Sequence, residues 1–377
     1  MKIKILKENL KNGLYFIDRI IRKNLNLIIL NNFLLSTEEN KIKLEATNLE
    51  TSLIYWGLAK IEEKGKILIP INLFLNFINL LKDNEINLES KNENLILKTK
   101  NQITQFQGIN PDEFPIIPKN EKEIICEISC EKLKEGLEQI SDIPLLTSSR
   151  IELSGVYFNF LKNKLKIVGT DSFRLGEKII NIERKLKKEI SFIVPQNAVR
   201  DLISILNQKN DNDVVSIYYS VNQVLFDFEE DEIFHSKIKF LTRLIEGEFP
   251  KYEDIIPSSP SSSVEILFKR DEFLNQLKQI GLFSGRTSEV KIDCFPKENK
   301  IKLYSKAIDL GESESYISSE IKGKELSISF NYKFLISGIS NIKSSEIIFE
   351  LNGEDGPGVL KPVGDDNYIY VLMPIKA

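Results

Sequence analysis

The sequence predicts an α+β protein of three repeated domains, each with two helices packed on antiparallel β-sheet. Two recurring phrases carry the prediction. The first is a helical opening: Lys7-Glu8-Asn9-Leu10 with Leu14 and Ile17, Cys130-Glu131-Lys132-Leu133 with Leu137 and Ile140, and Arg270-Asp271-Glu272-Phe273 with Leu277 and Ile280. Each anchor leads by i+4 and then i+7, which is one buried stripe of an amphipathic helix. The second is Leu68-Ile69-Pro70-Ile71-Asn72-Leu73-Phe74, then Val194-Pro195-Gln196-Asn197-Ala198-Val199, then Phe330-Asn331-Tyr332-Lys333-Phe334-Leu335. Both phrases return after about 120 to 140 residues, the size of a small domain rather than of a solenoid unit.

The elements follow in the same order in each repeat. Short apolar strands precede the first helices at Ile3 to Ile5, Ile124 to Ile128 and Val264 to Phe268. Proline at the first helical position is favoured because its missing N–H would be unpaired there anyway, which marks the second helices at Pro70 and Pro195. Those helices run through Phe77 and Leu81, Leu202 and Leu206, and Ile339 and Ile342. Between the helices, runs of alternating polarity read as half-buried antiparallel strands. In the first repeat they are Leu27 to Leu35, Lys41 to Ala46, Leu53 to Ile61 and Leu95 to Phe106. In the second they are Gly155 to Phe160, Lys164 to Gly169 and Val214 to Phe228. In the third they are Val290 to Phe295, Ile301 to Tyr304, Ser345 to Leu351 and Tyr368 to Met373. Proline-rich joints at Asn110 to Pro118 and Ile256 to Ser263 set domain bounds at 1–122, 123–258 and 259–377.

Composition removes several function classes. A formal charge of −4 argues against a chain coated in basic residues for tight nucleic-acid binding, while leaving room for a basic inner face. Three cysteines make neither a disulfide framework nor a zinc spacing. No signal-peptide core opens the chain, and no apolar run approaches the roughly 18 residues of a membrane span. A reduced, cytoplasmic protein is expected. His235 is the only histidine, so no histidine pair or relay exists, and it reads as a structural or surface residue in a strand-like context. Gly353 to Gly358 is glycine-rich but acidic and lacks the Lys-Ser/Thr of a phosphate loop, so it reads as a turn. Cys126 and Cys130 have no basic neighbourhood that would activate a thiolate. Nothing here argues for an enzyme, a metal or a cofactor.

Four segments go further. Thr170-Asp171-Ser172-Phe173-Arg174-Leu175 and the closing Tyr370 to Ala377 resemble the Thr-Asp-x-x-Arg-Leu segment and the Val-Met-Pro-type tail of the bacterial DNA polymerase III β subunit, the replication sliding clamp. Leu244 to Tyr252 and Ala46 to Glu50 resemble further segments of that family, and the likeness runs over essentially the whole chain. It implies a head-to-tail homodimer whose six domains form a ring around duplex DNA, with helices lining the hole and sheets outside. It also implies a processivity factor without catalysis or cofactor, tethering the polymerase III catalytic subunit and other clients by short peptides. A clamp loader opens the ring with ATP. Two other readings stay open: a non-ring interaction scaffold, and an enzyme using dispersed carboxylates with a metal.

The resemblance also implies site residues. For a client-peptide groove they are Leu153, Thr170, Ser172, Phe173, Arg174, Leu175, Pro250, Ile255, Val371, Met373, Pro374 and Ile375. Phe173 stands where many relatives have His, and Ser172 where they often have Gly. An apolar groove suits buried Leu and Phe anchors, and Met adapts to varied ligands. For DNA the candidates are Arg19, Arg22, Lys23, Lys134, Arg150, Lys278 and Arg286, on the first helices or the loops after them. The second helices offer Asn72, Asn76 and Asn79 instead, so contact with phosphate is expected to be weak. For the dimer interface the candidates are Phe106, Ile109, Leu282 and Phe283.

Overall fold

The computed structural model describes residues 1–21, 27–118, 124–145, 149–183, 186, 188–230, 235–257 and 264–376. The first repeat opens with β1 (Lys2–Leu6) and α1 (Lys7–Ile20). It continues through β2 (Asn32–Glu38), β3 (Lys41–Thr47), β4 (Thr51–Leu58), β5 (Lys60–Glu63) and β6 (Lys66–Pro70). It ends with α2 (Ile71–Leu80), β7 (Glu85–Lys91), β8 (Asn94–Lys98) and β9 (Ile103–Gln107). The second repeat has β10 (Ile124–Ser129), α3 (Cys130–Ile140), β11 (Gly155–Leu161), β12 (Lys164–Thr170) and β13 (Arg174–Asn181). After these come β14 (Ile190–Pro195), α4 (Gln196–Leu206), β15 (Val214–Ser220), β16 (Gln223–Phe228) and β17 (Lys237–Arg243). The third repeat has β18 (Val264–Lys269), α5 (Arg270–Gly281), β19 (Glu289–Phe295), β20 (Lys300–Ala307), β21 (Gly311–Ser318) and β22 (Glu320–Gly323). It closes with β23 (Leu326–Asn331), α6 (Tyr332–Ser340), β24 (Glu346–Leu351), β25 (Gly358–Pro362) and β26 (Tyr368–Leu372).

The sheets do not follow the sequence repeats. Each repeat divides its strands between two sheets, and consecutive repeats share one. The five-stranded sheet, in order β5-β1-β7-β8-β9, belongs to the first repeat alone. The eight-stranded sheet, β10-β15-β16-β17-β4-β3-β2-β6, joins the first repeat to the second through β4 and β17. The nine-stranded sheet, β14-β11-β12-β13-β26-β25-β24-β18-β22, joins the second to the third through β13 and β26. The four-stranded sheet, β21-β20-β19-β23, belongs to the third. Two compact units result: Met1–Lys134 with Asn197–Leu244, and Glu135–Gln196 with Ile245–Ala377. Every sheet lies wholly inside one unit.

The helical stripes bury as their spacing predicts. Leu10, Leu14, Ile17, Leu133, Leu137, Ile140, Phe273, Leu277 and Ile280 are all buried. Gly13 of α1 lets the helix approach its sheet closely, since a Cβ there would sit 2.6 Å from Leu44 and Tyr55. The matching residue in α5 is Gln276, which accepts a 2.7 Å hydrogen bond from the Ser315 hydroxyl. No helix among the described residues is long and apolar enough to cross a membrane.

Several expectations change. Leu27 to Leu35 is not one strand: Ile28–Asn31 forms a 3-10 turn before β2, and the Asn32 side chain ties that turn down by donating to Ile28 and Ile29 carbonyls. Leu53 to Ile61 divides at Ala59, because β4 pairs in the eight-stranded sheet and β5 with β1 in the five-stranded one. Leu95 to Phe106 and Val214 to Phe228 are each a hairpin of two strands. Pro70 and Pro195 end strands rather than begin helices; Pro70 has ψ 123°, still extended, so α2 starts one residue later. His235 is not in a strand: it has φ 48°, two residues before β17, and is exposed.

Phe106 lies inside its own domain. The pleat of β9 turns it inward, 3% exposed, edge-on to Phe74 at 5.1 Å and Phe77 at 5.2 Å. It is a core residue of its own domain, packed on α2. The strand's outward apolar side chain is Ile103, 73% exposed. Phe106→Ala is therefore expected to destabilise the first repeat itself by about 3–5 kcal/mol, the cost of a buried Phe truncation. Chemical denaturation followed by far-UV circular dichroism would measure the loss; an unchanged midpoint would contradict the core assignment.

Candidate functional site

The candidate groove residues gather where β13 meets β26, within one compact unit. Antiparallel pairing sets Arg174 opposite Leu372 and Leu175 opposite Val371. Just before β13, Thr170 to Arg174 folds into a tight turn held from inside. The Thr170 hydroxyl donates to the Arg174 carbonyl at 2.8 Å and accepts from Ser172 N–H at 3.2 Å. Asp171 Oδ1 accepts from the N–H groups of Phe173 at 3.0 Å and Arg174 at 2.9 Å. Ser172 adopts the left-handed conformation, φ 74°, which favours the Gly that relatives often carry.

The same turn recurs at the junction of the first two repeats. Thr47 Oγ1 donates to the Thr51 carbonyl and accepts from Leu49 N–H, both at 3.0 Å. Asn48 Oδ1 accepts from Glu50 and Thr51 N–H at 3.0 and 2.7 Å, and Leu49 has φ 74°. The incoming strand is tied the same way: Arg243 N–H donates to the Glu50 carbonyl at 2.9 Å, as Met373 N–H does to that of Phe173 at 2.8 Å. The Thr-Asp/Asn turn is thus a device for joining sheets. At β20–β21 the strand register puts Lys306 and Ala307 in these places, and they lack the side chains that close it.

Burial sorts the candidates. Leu175 and Val371 pack with Val168, Val359 and Tyr252 in a core cluster on one face of the sheet. Leu153 is buried in the 3-10 turn leading to β11, and the Thr170 side chain is spent on its turn. Arg174 points its charge inward: Nε bonds Asp171 Oδ2 at 2.9 Å, one terminal nitrogen donates to the Asp142 carbonyl at 3.0 Å, and the guanidinium lies 4.7 Å from the Phe334 ring. Burial alone would lower its pKa, but Tyr370 and Asp171 outweigh that and hold it above the ordinary value. Burial pushes Tyr370 up to about 12. The exposed part of the candidate set is Ser172, Phe173, Ile255 and Met373, with Pro250, Pro374 and Ile375 partly covered. Ile375 N–H donates to the Ser329 carbonyl at 2.8 Å, which fixes the tail beyond Met373.

The basic candidates scatter. Arg19 is in the last turn of α1, where it stacks on Tyr15 and donates to its hydroxyl at 2.8 Å. Lys134 is half-buried on α3, and Lys278 and Arg286 are exposed on α5 and in the turn after it. Arg22 and Lys23 lie outside the described residues. Arg150 sits beside the groove turn instead: it donates to Ser172 Oγ at 3.2 Å and pairs with Glu152 at 3.2 Å. Sequence reading missed that neighbour, because a contact spanning 22 residues leaves no local pattern. Among the interface candidates, Ile109 is half-buried and bridges to Leu68, Leu282 is 73% exposed, and Phe283 is half-buried. Cys126, Cys130 and Cys294 are buried, which pushes each thiol up to about 12 and keeps it protonated.

Fold and surface together define a repeat-built scaffold whose sheets run on from one repeat to the next. Models of the three domains of the DNA polymerase III beta subunit match the chain in order: the N-terminal domain over residues 1–118, the central domain over 127–251 and the C-terminal domain over 253–376. The Beta sliding clamp of Synechococcus elongatus is 26% identical over 385 residues, covering 100% of this chain and 99% of that protein. The Staphylococcus aureus Beta sliding clamp is 24% identical over 345 residues, 91% of this chain and 88% of that one. The solved DNA polymerase sliding clamp from Bacillus subtilis shares the fold at a TM-score of 0.92 and 22% identity, covering 100% and 99% of the two chains. The beta subunit from DNA polymerase of Streptococcus pyogenes does so at 0.93 and 21%, covering 100% of both. The chain belongs to the DNA polymerase III beta subunit family, the DNA sliding clamps.

Ser172→Gly is expected to raise stability by up to about 1 kcal/mol by relieving the left-handed backbone. Ser172→Val, whose branched side chain resists that conformation, should lower it by about 2 kcal/mol. Urea midpoints would decide; equal midpoints for both would deny that the turn constrains this residue.

Proposed function

We propose that this chain acts as a cytoplasmic DNA sliding clamp: two copies close head to tail into a ring that encircles duplex DNA and tethers clients. The ring catalyses nothing itself and carries no cofactor. Three domains, at about 1–122, 123–258 and 259–377, each contribute about one third of a subunit. The exposed surface around Phe173, Met373 and Ile255 takes short client peptides from the polymerase III catalytic subunit, the clamp loader and other proteins. Arg174, Leu175, Val371, Thr170 and Leu153 support that surface from beneath.

The observation that carries ring closure is a pair of unmatched sheet edges. Within the chain, β4 meets β17 and β13 meets β26. The strands in the same positions of the remaining half-sheets are β21 and β9, and both end their sheets. An open strand edge is a template for another strand. Joining β9 of one copy to β21 of the next is heterologous, and closing it after two copies makes the ring.

The internal junctions supply a register. Gly108 N–H bonds the Glu93 carbonyl as Leu244 N–H bonds that of Asn222, and Ile109 bonds Leu68 as Ile245 bonds Ile193. Gln107 therefore corresponds to Arg243, and Gly311 to Thr51. Phe106 should then oppose Gly311 of the other copy, Gln105 oppose Glu312, Thr104 oppose Ser313, and Ile103 oppose Glu314. Gln105→Cys with Glu312→Cys is expected to yield a disulfide-linked dimer on oxidation, because directly opposed strand residues fall within disulfide range. Glu312 moved to Ser313 as the cysteine partner should cross-link poorly. The reverse preference, or monomer only, would reject this joint.

DNA is held by enclosure rather than affinity. Arg19, Lys134, Lys278 and Arg286, with Arg22, Lys23 and Arg150, meet phosphates loosely, and a formal charge of −4 implies few released counterions. Loaded on nicked circular duplex by a cognate loader, the protein should survive a salt wash that strips ordinary DNA-binding proteins. Linearising the circle should release it. Equal loss from circular and linear DNA would mean surface binding.

A further inference from the structure

We propose that Tyr252 and Glu177 are positioning residues for the client surface: their hydrogen bond holds the segment that carries Pro250 and Ile255 against the sheet. The proposal rests on reading that surface as the client site. Phe249 to Pro257 belongs to no strand, so no ladder of backbone bonds fixes it. Its anchors are side chains. Phe249 stacks on Tyr157 with ring centroids 4.6 Å apart and planes within 3°. Tyr252, 1% exposed, drives its ring into the cluster of Val168, Leu175, Val359 and Val371. Its hydroxyl donates to Glu177 Oε2 at 2.6 Å, and Lys166 Nζ reaches the same oxygen at 2.9 Å. Ile255 N–H then donates to the Tyr252 carbonyl at 3.0 Å, closing the 3-10 turn Glu253–Ile255. Where Tyr252 sits, Ile255 follows.

A carboxylate whose side chain is 7% exposed is costly unless paired, and a buried tyrosine hydroxyl needs an acceptor. A phenylalanine over an aliphatic residue would fill the same space without either demand. The first internal junction shows that alternative. At the register position of Glu177 it has Ile54, and Lys43, matching Lys166, pairs with Glu45 on its own strand at 3.0 Å. The polar triad accompanies the junction across which Phe249 to Pro257 is laid.

The test uses the full-length dimer and a fluorescein-labelled synthetic peptide whose only apolar side chains are one Leu and one Phe. Tyr252→Phe removes a single oxygen. It should weaken peptide binding about tenfold, the loss of one hydrogen bond to a charged group, and speed amide exchange at residues 253–256. Its melting temperature should fall by no more than about 4 °C. Glu177→Gln keeps an acceptor for the hydroxyl and should retain binding, whereas Glu177→Ala should match Tyr252→Phe. Deleting Met373 to Ala377 is the control and should abolish binding. If the truncated protein binds like the parent, the client-site reading fails. If truncation abolishes binding but Tyr252→Phe binds like the parent, the positioning role is overturned and the client site stands. A lowered melting temperature with unchanged affinity would also overturn it, and Tyr252→Phe decides the matter even where Glu177→Ala does not fold.

Discussion

Strand edges need partners, and that constraint organises this protein. A half-sheet of four or five strands leaves a row of N–H and C=O groups that only another strand can satisfy without bending the backbone. Each repeat carries two such halves and cannot pair them with each other. The first and second repeats resolve this through β4 and β17, the second and third through β13 and β26. The Thr-Asn and Thr-Asp turns fix the end of each junction by closing the same set of side-chain bonds and passing the next carbonyl to the incoming strand. Among the described residues β9 and β21, in the corresponding places, end their sheets, and β21 follows a turn without those side chains.

The surface we propose for clients sits at one of these junctions. Where β26 meets β13, the chain has run out of strand and leaves Met373, Pro374 and Ile375 beside the Phe173 turn. Charge is directed inward there. Arg174 is held by Asp171, Asp142 and the Phe334 ring, and Glu177 by Tyr252 and Lys166. The exposed remainder is mostly apolar, which suits transient anchoring of Leu and Phe side chains more than bond-making chemistry.

The proposal of weak contact with DNA fits the same design. A clamp that bound phosphates tightly at one register would resist sliding, since each deep well must be escaped by thermal motion. The exposed face of α2 carries Asn72, Asn76 and Asn79 rather than lysines, and Arg19 is occupied with Tyr15. In the ring we propose, retention rests on closure, and so on the proposed pairing of β9 with β21.

Periodicity alone determined the helices, their buried faces and the threefold repeat, because a stripe at i, i+4 and i+7 needs no knowledge of its partner. Motif resemblance reached the family and most of the surface around Phe173 and Met373. Tertiary structure decided what local pattern cannot encode. Phe106 and Ile103 share one strand and differ only in which face the pleat gives the core. Leu53 to Ile61 is continuous in polarity yet serves two sheets. Arg150 reads as one more loop cation until the fold brings Ser172 to it, and Glu177 reads as a strand-surface carboxylate until Tyr252, 75 residues on, covers it. Alternation tells which residues share a face; only the folded chain tells what lies across from it.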